Sequence, residues 1–205
     1  MSLSSLRSLA VIGLMTVSAF ASAQTTYTDQ ATFLANVQPG SYLETFDSLV
    51  QGDVVASPIN FAGNGFTYTA SATGNFFNVG PTGDTWLSTN SPSTDIVFTF
   101  TSGNVTAVGG EFFTTNFDGD ESLGSITATL NSGSTITINP SSATTFGGFT
   151  TPSAITSLTI SVPANFASVN NLIVGTAVPA PSSAIVLIAG FGLMGIRTLA
   201  LRRKR

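Results

Sequence analysis

The chain has 205 residues, of which only 8% are charged: ten acids and six bases, with neither His nor Cys. All six bases sit at the ends, Arg7 near the start and Arg197, Arg202, Arg203, Lys204 and Arg205 at the finish, so the stretch between them carries the ten acids alone and a net charge of −10. A surface of that sign repels phosphates, which excludes nucleic acid as a partner. The missing Cys excludes a disulfide framework, and with no His, Cys, Lys or Arg in the middle only carboxylates remain for catalysis.

Arg7 precedes the apolar run Leu9 to Phe20, and Ala21-Ser22-Ala23 then offers small residues at the spacing a signal peptidase accepts. Residues 1–23 therefore read as a removable secretory signal cut between Ala23 and Gln24, in preference to a buried N-terminal helix. The secreted part, 24–177, is long enough for one domain with a real core and too short for two comfortable ones. Its first predicted element is a short helix from Asp29 to Val37, capped by Thr28 or Asp29, with Phe33, Leu34 and Val37 on one side.

Beyond the helix the texture is short alternating runs divided by Gly, Asn, Ser and Pro. Phe66-Thr67-Tyr68-Thr69 is one, and Ile96, Phe98 and Phe100 alternate with Val97, Thr99 and Thr101 in another. Ile126, Ala128 and Leu130 alternate with threonines, Thr135-Ile136-Thr137-Ile138 follows, and Leu158, Ile160 and Val162 form the next. Period-two alternation with β-branched residues predicts half-buried strands. Leu130-Asn131-Ser132-Gly133-Ser134-Thr135 joins two of them as an antiparallel hairpin. Many short strands without a fixed repeat predict an all-β fold, an antiparallel jelly-roll-like sandwich with one short N-terminal helix, over a barrel or a solenoid.

Within this domain the acids have no internal cation to pair with, so water, backbone N–H groups or metal ions must satisfy them. Asp118-Gly119-Asp120-Glu121 gathers three carboxylates around a turn glycine, a spacing that suits Ca²⁺ and equally describes a solvated acidic turn. Glu44 and Asp47 form a second pair; three apart in a strand they face opposite sides, so joint metal binding requires Asp47 to sit in the following turn, beside Asn170 or Asn171. Trp86, the sole tryptophan, follows Gly80-Pro81-Thr82-Gly83 in a loop-like setting next to Asp84. It fits either a platform stacking on a sugar ring, with Tyr68 or Tyr42 as partners, or a core or sheet-edge aromatic.

At the far end Pro179-Ala180-Pro181 interrupts any helix, and 184–201 is apolar apart from Arg197 and Thr198. At the usual helical rise this run spans about 27 Å, enough for a transmembrane helix if Arg197 snorkels. Arg202, Arg203, Lys204 and Arg205 would stay cytoplasmic by the positive-inside rule, with the acidic domain outside. A plain single-span anchor is one reading of this layout.

The order of Val178-Pro179-Ala180-Pro181, apolar helix and closing arginine cluster also resembles the PEP-CTERM sorting signal, 178–205, with Ala180 where the usual motif has Glu. That resemblance implies an exosortase as partner after signal peptidase, cleavage near Pro179 to Pro181, and a transiently anchored precursor released to the cell surface or an extracellular polysaccharide matrix. The stretch Tyr27 to Gly175 is similar to uncharacterised exported domains that precede such tails. There a short helix and an acidic strand like Glu44-Thr45-Phe46-Asp47 open the domain, and a strand like Val169-Asn170-Asn171-Leu172-Ile173-Val174-Gly175 closes it. This likeness implies a sandwich without assigning an activity. The expectation is a non-catalytic surface or biofilm-matrix protein whose acids meet anionic exopolysaccharide through divalent cations. The alternatives are a Ca²⁺-dependent carbohydrate-binding module built around Trp86 and a glycoside hydrolase drawing two carboxylates from Glu44, Asp47, Glu111 and Glu121.

Overall fold

The computed structural model describes residues 24–139 and 146–179, so the expected signal peptide, spanning helix and basic tail fall outside the described residues. Ser22–Pro179 form one compact unit. Among the described residues no helix is long and apolar enough to cross a membrane.

The unit is all-β, with two antiparallel sheets in a sandwich-like arrangement. Its first half comprises β1 (Thr25–Tyr27), helix α1 (Gln30–Leu34), β2 (Tyr42–Glu44), β3 (Val54–Val55), β4 (Ile59–Gly63), β5 (Phe66–Ala72), β6 (Phe76–Val79) and β7 (Trp86–Thr89). The second half adds β8 (Ile96–Phe100), β9 (Ala107–Thr115), β10 (Glu121–Ser122), β11 (Ile126–Leu130), β12 (Thr135–Ile138), β13 (Phe146–Thr150), β14 (Ser157–Ser161) and β15 (Phe166–Gly175). The small sheet has the order β12-β11-β14-β8-β5-β4. The large one runs β1-β13-β9-β15-β7-β6-β3, with β10 also on β9 and β2 also on β15.

Alternation dictates the small sheet. Tyr68 and Ala70 of β5, Ile96, Phe98 and Phe100 of β8, Ile126 and Ala128 of β11, and Leu158 and Ile160 of β14 all turn into the main core. The residues between them make up the opposite face, where Thr69 lies across from Thr99, and Thr129 from both Thr135 and Thr159. No charged residue occurs in any of the six strands. The expected hairpin is β11–β12: Leu130 N donates to Ser134 O at 2.9 Å, and Gly133 takes the left-handed backbone (φ +86°) that the turn requires.

In the large sheet the central strands β9 and β15 are buried nearly throughout. Their inward residues, among them Val108, Phe112, Val169, Leu172 and Val174, complete the main core. Each fully buried side chain of this kind contributes about 1.5–3 kcal/mol. The outward residues pack under two separate covers. At one end α1 lays Phe33 onto Ala107, Phe146 and Ile173; at the other, Val79, Trp86 and Phe113 cluster under loops.

The helix is shorter than the sequence predicts. It ends at Leu34, and Val37 leaves it to bridge Ala177, so Phe33 and Val37 turn inward while Leu34 stays 42% exposed. Asp29 is the N-cap, its Oδ1 accepting Thr32 N at 2.8 Å. Among the described residues the last tie to this end of the fold is Val178 N donating to Asn36 O at 2.9 Å.

Candidate functional site

A β-bulge in β15 organises the outer face of the large sheet. Asn170 pairs with Glu111 and Ile173 with Gly109, so β15 carries one residue more than β9 across that step. Asn171 absorbs the extra residue in the left-handed region (φ +50°), which Asn tolerates better than most residues. The bulge aims two amides at carboxylates: Asn171 Nδ2 donates to Glu111 Oε2 at 2.9 Å, and Asn170 Nδ2 to Asp84 Oδ1 at 3.0 Å. Asp47 Oδ1 accepts Thr85 N at 2.8 Å, while Glu44 accepts Phe46 N at 2.9 Å and the Tyr42 hydroxyl. Amides and backbone N–H groups thus do for these acids what Lys and Arg do in other proteins. Asp47 does sit in the turn after β2, yet it and Glu44 bind different partners.

Beside the bulge, the β9–β10 hairpin folds its acidic turn down on the sheet. Asn116 Oδ1 accepts both Asp118 N and Asp120 N at 2.9 Å, and Asn116 N donates to Asp120 O at 2.9 Å. Gly119 (φ +85°) touches β6 so closely that a Cβ there would lie 2.7 Å from Val79 Cγ1. This contact divides the outer face into two hollows. The smaller, about 210 Å³, is lined by Ser88, Thr115 and Phe166. Ser88 and Thr115 form a ring of buried hydroxyls with Ser168, at 3.1, 3.0 and 3.0 Å. The larger, about 450 Å³, is lined by Gln51, Asn78, Trp86, Asp118, Asp120 and Glu121 together with the apolar Phe77, Val79 and Pro81.

Trp86 and the acidic triplet, which the sequence presents as separate features, therefore share one cavity. The loop-like setting expected for Trp86 is corrected: it is the first residue of β7 and only 7% exposed. Its ring stands edge-on to Phe113 at 5.3 Å and lies against Gly80, so of the two readings the sequence offers it takes that of a buried sheet aromatic, with its edge forming a cavity wall. Burial follows from strand pairing, which sets Trp86 opposite Val79 under the turn. Tyr68 cannot extend a platform either, because it is buried in the main core. The exposed aromatic here is Phe117, 85% accessible at the tip of the acidic turn. Its signal was present in Asn116-Phe117-Asp118-Gly119, where turn residues leave an aromatic no core to enter.

Partial desolvation against the sheet raises the carboxyl pKa of Glu121, although its side chain is exposed, and the negative charges of Glu111 and Asp84 add to the effect. The Trp86 indole N–H and Asn78 Oδ1 are enclosed in protein without a hydrogen bond, and the Asn78 side chain turns toward the main core, where its Nδ2 donates to Leu49 O at 2.9 Å. Among the described residues no group of three or more carboxylates converges as a metal cage, and Glu44 and Asp47 are not part of the Asp118, Asp120 and Glu121 cavity. Comparison with family models, curated proteins and solved structures finds no match. The arrangement offers a concave, acceptor-rich surface with an aromatic wall, suited to holding a polar ligand.

Proposed function

We propose that this chain is an exported, non-catalytic surface or matrix protein, processed by signal peptidase and an exosortase, that contacts exopolysaccharide through the acidic outer face of its large sheet. The supporting observation is where the fold closes. Among the described residues, β1 starts at Thr25, one residue after the expected first cut, and the last backbone bond into the fold comes from Val178, one residue before Pro179. Removal of 1–23 and of everything after Pro179 to Pro181 leaves every described strand intact. In the precursor the domain lies outside the inner membrane, and Arg202, Arg203, Lys204 and Arg205 hold the C-terminus inside.

The reading takes the two sheets as a jelly-roll-like sandwich, because the chain crosses repeatedly between them: β3 to β4, β5 to β6, β7 to β8, β8 to β9, β10 to β11, β12 to β13, β13 to β14 and β14 to β15. Divalent cations enter as bridges between scattered carboxylates and anionic glycan; CaCl₂ against NaCl of equal ionic strength separates bridging from screening.

Intact-mass measurement of the protein from its native host tests the processing. The expected product begins at Gln24 and ends near Pro179 to Pro181; a membrane-bound product retaining Arg205 refutes it and leaves the plain anchor. Neutralising Arg202, Arg203, Lys204 and Arg205 is expected to impair surface release.

A further inference from the structure

A cut between Ala23 and Gln24 makes a glutamine the first residue of the mature chain. Such a residue carries its own electrophile. Attack of its α-amine on its side-chain Cδ closes an unstrained five-membered ring, and a share of any α-amine is uncharged at neutral pH and able to attack. The fold fixes the surroundings. Thr25 opens β1 and pairs with Thr150 of β13, which leaves Gln24 just outside the ladder. Its side chain lines a hollow of about 210 Å³ together with Leu130 and Ser132, from β11 and its turn, and Pro152, Ala154 and Ile155, from the loop after β13. Ser132 Oγ donates to Gln24 Oε1 at 2.9 Å. Gln24 Nε2 is enclosed in protein, and among the described residues it has no hydrogen-bond partner. The amide is thus held by its oxygen while its nitrogen is left unsatisfied, an arrangement that costs stability.

We propose that after the first cut Gln24 closes to an N-terminal pyroglutamate lodged in this hollow. The α-nitrogen attacks Cδ and forms the new C–N bond; the Cδ–Nε2 bond breaks, a proton passes from the α-nitrogen to Nε2 by way of water, and ammonia leaves. No oxidant, reductant or cofactor enters the balance. During the attack negative charge gathers on Oε1, the atom to which Ser132 donates, and the departing Nε2 has no hydrogen bond to give up. The lactam sheds the unsatisfied NH₂ group, and Leu130, Pro152 and Ile155 offer its methylenes an apolar wall. Closure also changes charge. From Gln24 to Pro179 there is no Lys, Arg or His, so the α-ammonium is the only cation the mature chain can carry, and the ring removes it. The inference rests on the first cut proposed above and adds the chemistry that follows it.

Because no Lys lies between Gln24 and Pro179, a reagent specific for primary amines has a single target in a mature chain with an open Gln24 and none once the ring has closed. Protein secreted by the native host is expected to take up no label, and its N-terminal peptide to weigh one ammonia less than the open sequence. Pyroglutamyl peptidase acting on the unfolded protein should then expose Thr25 to the reagent. Gln24→Asn, whose shorter side chain would need a strained four-membered ring, is expected to keep an amine that labels. The part played by the hollow is timed by mass on full-length precursor cut in vitro by signal peptidase. Ser132→Ala is expected to lose ammonia about two- to tenfold more slowly than the parent, the range that one neutral hydrogen bond supplies, and Ser132→Thr to recover the parent rate. A secreted chain that starts at Gln24 with an open, labelled amine overturns the lactam while the cut stands. A chain that starts elsewhere overturns both. Equal rates for the parent and Ser132→Ala, or closure as fast in urea as in buffer, overturn the role given to Ser132 and its hollow.

Discussion

Gly119→Ala tests whether the seating of the acidic turn shapes the outer face. The substitution acts twice. A non-glycine residue at φ +85° costs roughly 1–2 kcal/mol, and the new Cβ would lie 2.7 Å from Val79 Cγ1 and 2.9 Å from Val79 Cβ, an overlap of the kind that costs about 1–3 kcal/mol. The expected loss is about 2–5 kcal/mol if the turn stays seated, and less if it lifts, because the β9–β10 pairing spans only two residue pairs. Urea unfolding gives the global figure, and hydrogen exchange at the Gly119 amide, which donates to Asn116 O at 3.2 Å, reports lifting. Val79→Ala in the same chain removes the closer contact, with Cγ1, and leaves the 2.9 Å contact with Cβ and the backbone penalty, so the double-mutant cycle should show a favourable coupling of about 0.5 kcal/mol or more. A single variant within about 0.5 kcal/mol of the parent, with no protection lost and no coupling to Val79→Ala, refutes the reasoning.

Three further outcomes follow from the same geometry. Glu121→Gln is expected to raise the melting midpoint at neutral pH, because the folded state holds the Glu121 proton more tightly than the unfolded state and so loses stability as pH rises through that raised pKa. The advantage should vanish in acid, where Glu121 is already protonated; an advantage independent of pH contradicts this account. Asp29 has the opposite sign: Thr32 hydroxyl and backbone N–H bonds lower its pKa, so its contribution is present above the unfolded value and lost as pH falls through the folded one. Asp29→Ala is expected to lower the melting midpoint near neutrality by loss of the cap, with the gap to the parent closing in acid, as thermal unfolding across pH would record. Asn171→Ala removes the amide that holds Glu111 and strains the bulge, whereas Asn171→Gly relieves the strain and loses only the amide. Equilibrium unfolding should rank parent, Gly and Ala in falling stability, and Ala equal to parent would count against the bulge as described.

The small sheet was legible and the large one largely hidden, for one physical reason. A strand with one wet face alternates, as Ile126 to Leu130 and Thr135 to Ile138 do, and each such run proved to be a strand of the small sheet. β9 and β13 are covered on both faces, so Ala107-Val108-Gly109-Gly110-Glu111 and Phe146-Gly147-Gly148-Phe149 carry no period to detect, and their paired glycines suggest loops. Those glycines are there because a Cβ at Gly109 or Gly148 would lie 2.8 Å from the Phe146 or Phe33 ring. β4 was missed although Asn64-Gly65, with both residues at positive φ, marks its hairpin with β5. The acidic turn at Asp118 was visible, but its meeting with Trp86 was not, since that depends on β6 and β10 converging from positions about forty residues apart.

The bare threonine face of the small sheet has a consequence for crowding. Every carboxylate lies outside its six strands, so two copies approaching by most orientations meet mutual repulsion, while the methyl and hydroxyl rows at Thr69, Thr99, Thr129 and Thr159 meet none. Salt governs the first kind of approach and barely touches the second. At high protein concentration and low ionic strength the domain is therefore repulsive in most directions and neutral in one, which gives crowded copies a preferred way to stack without any dedicated interface.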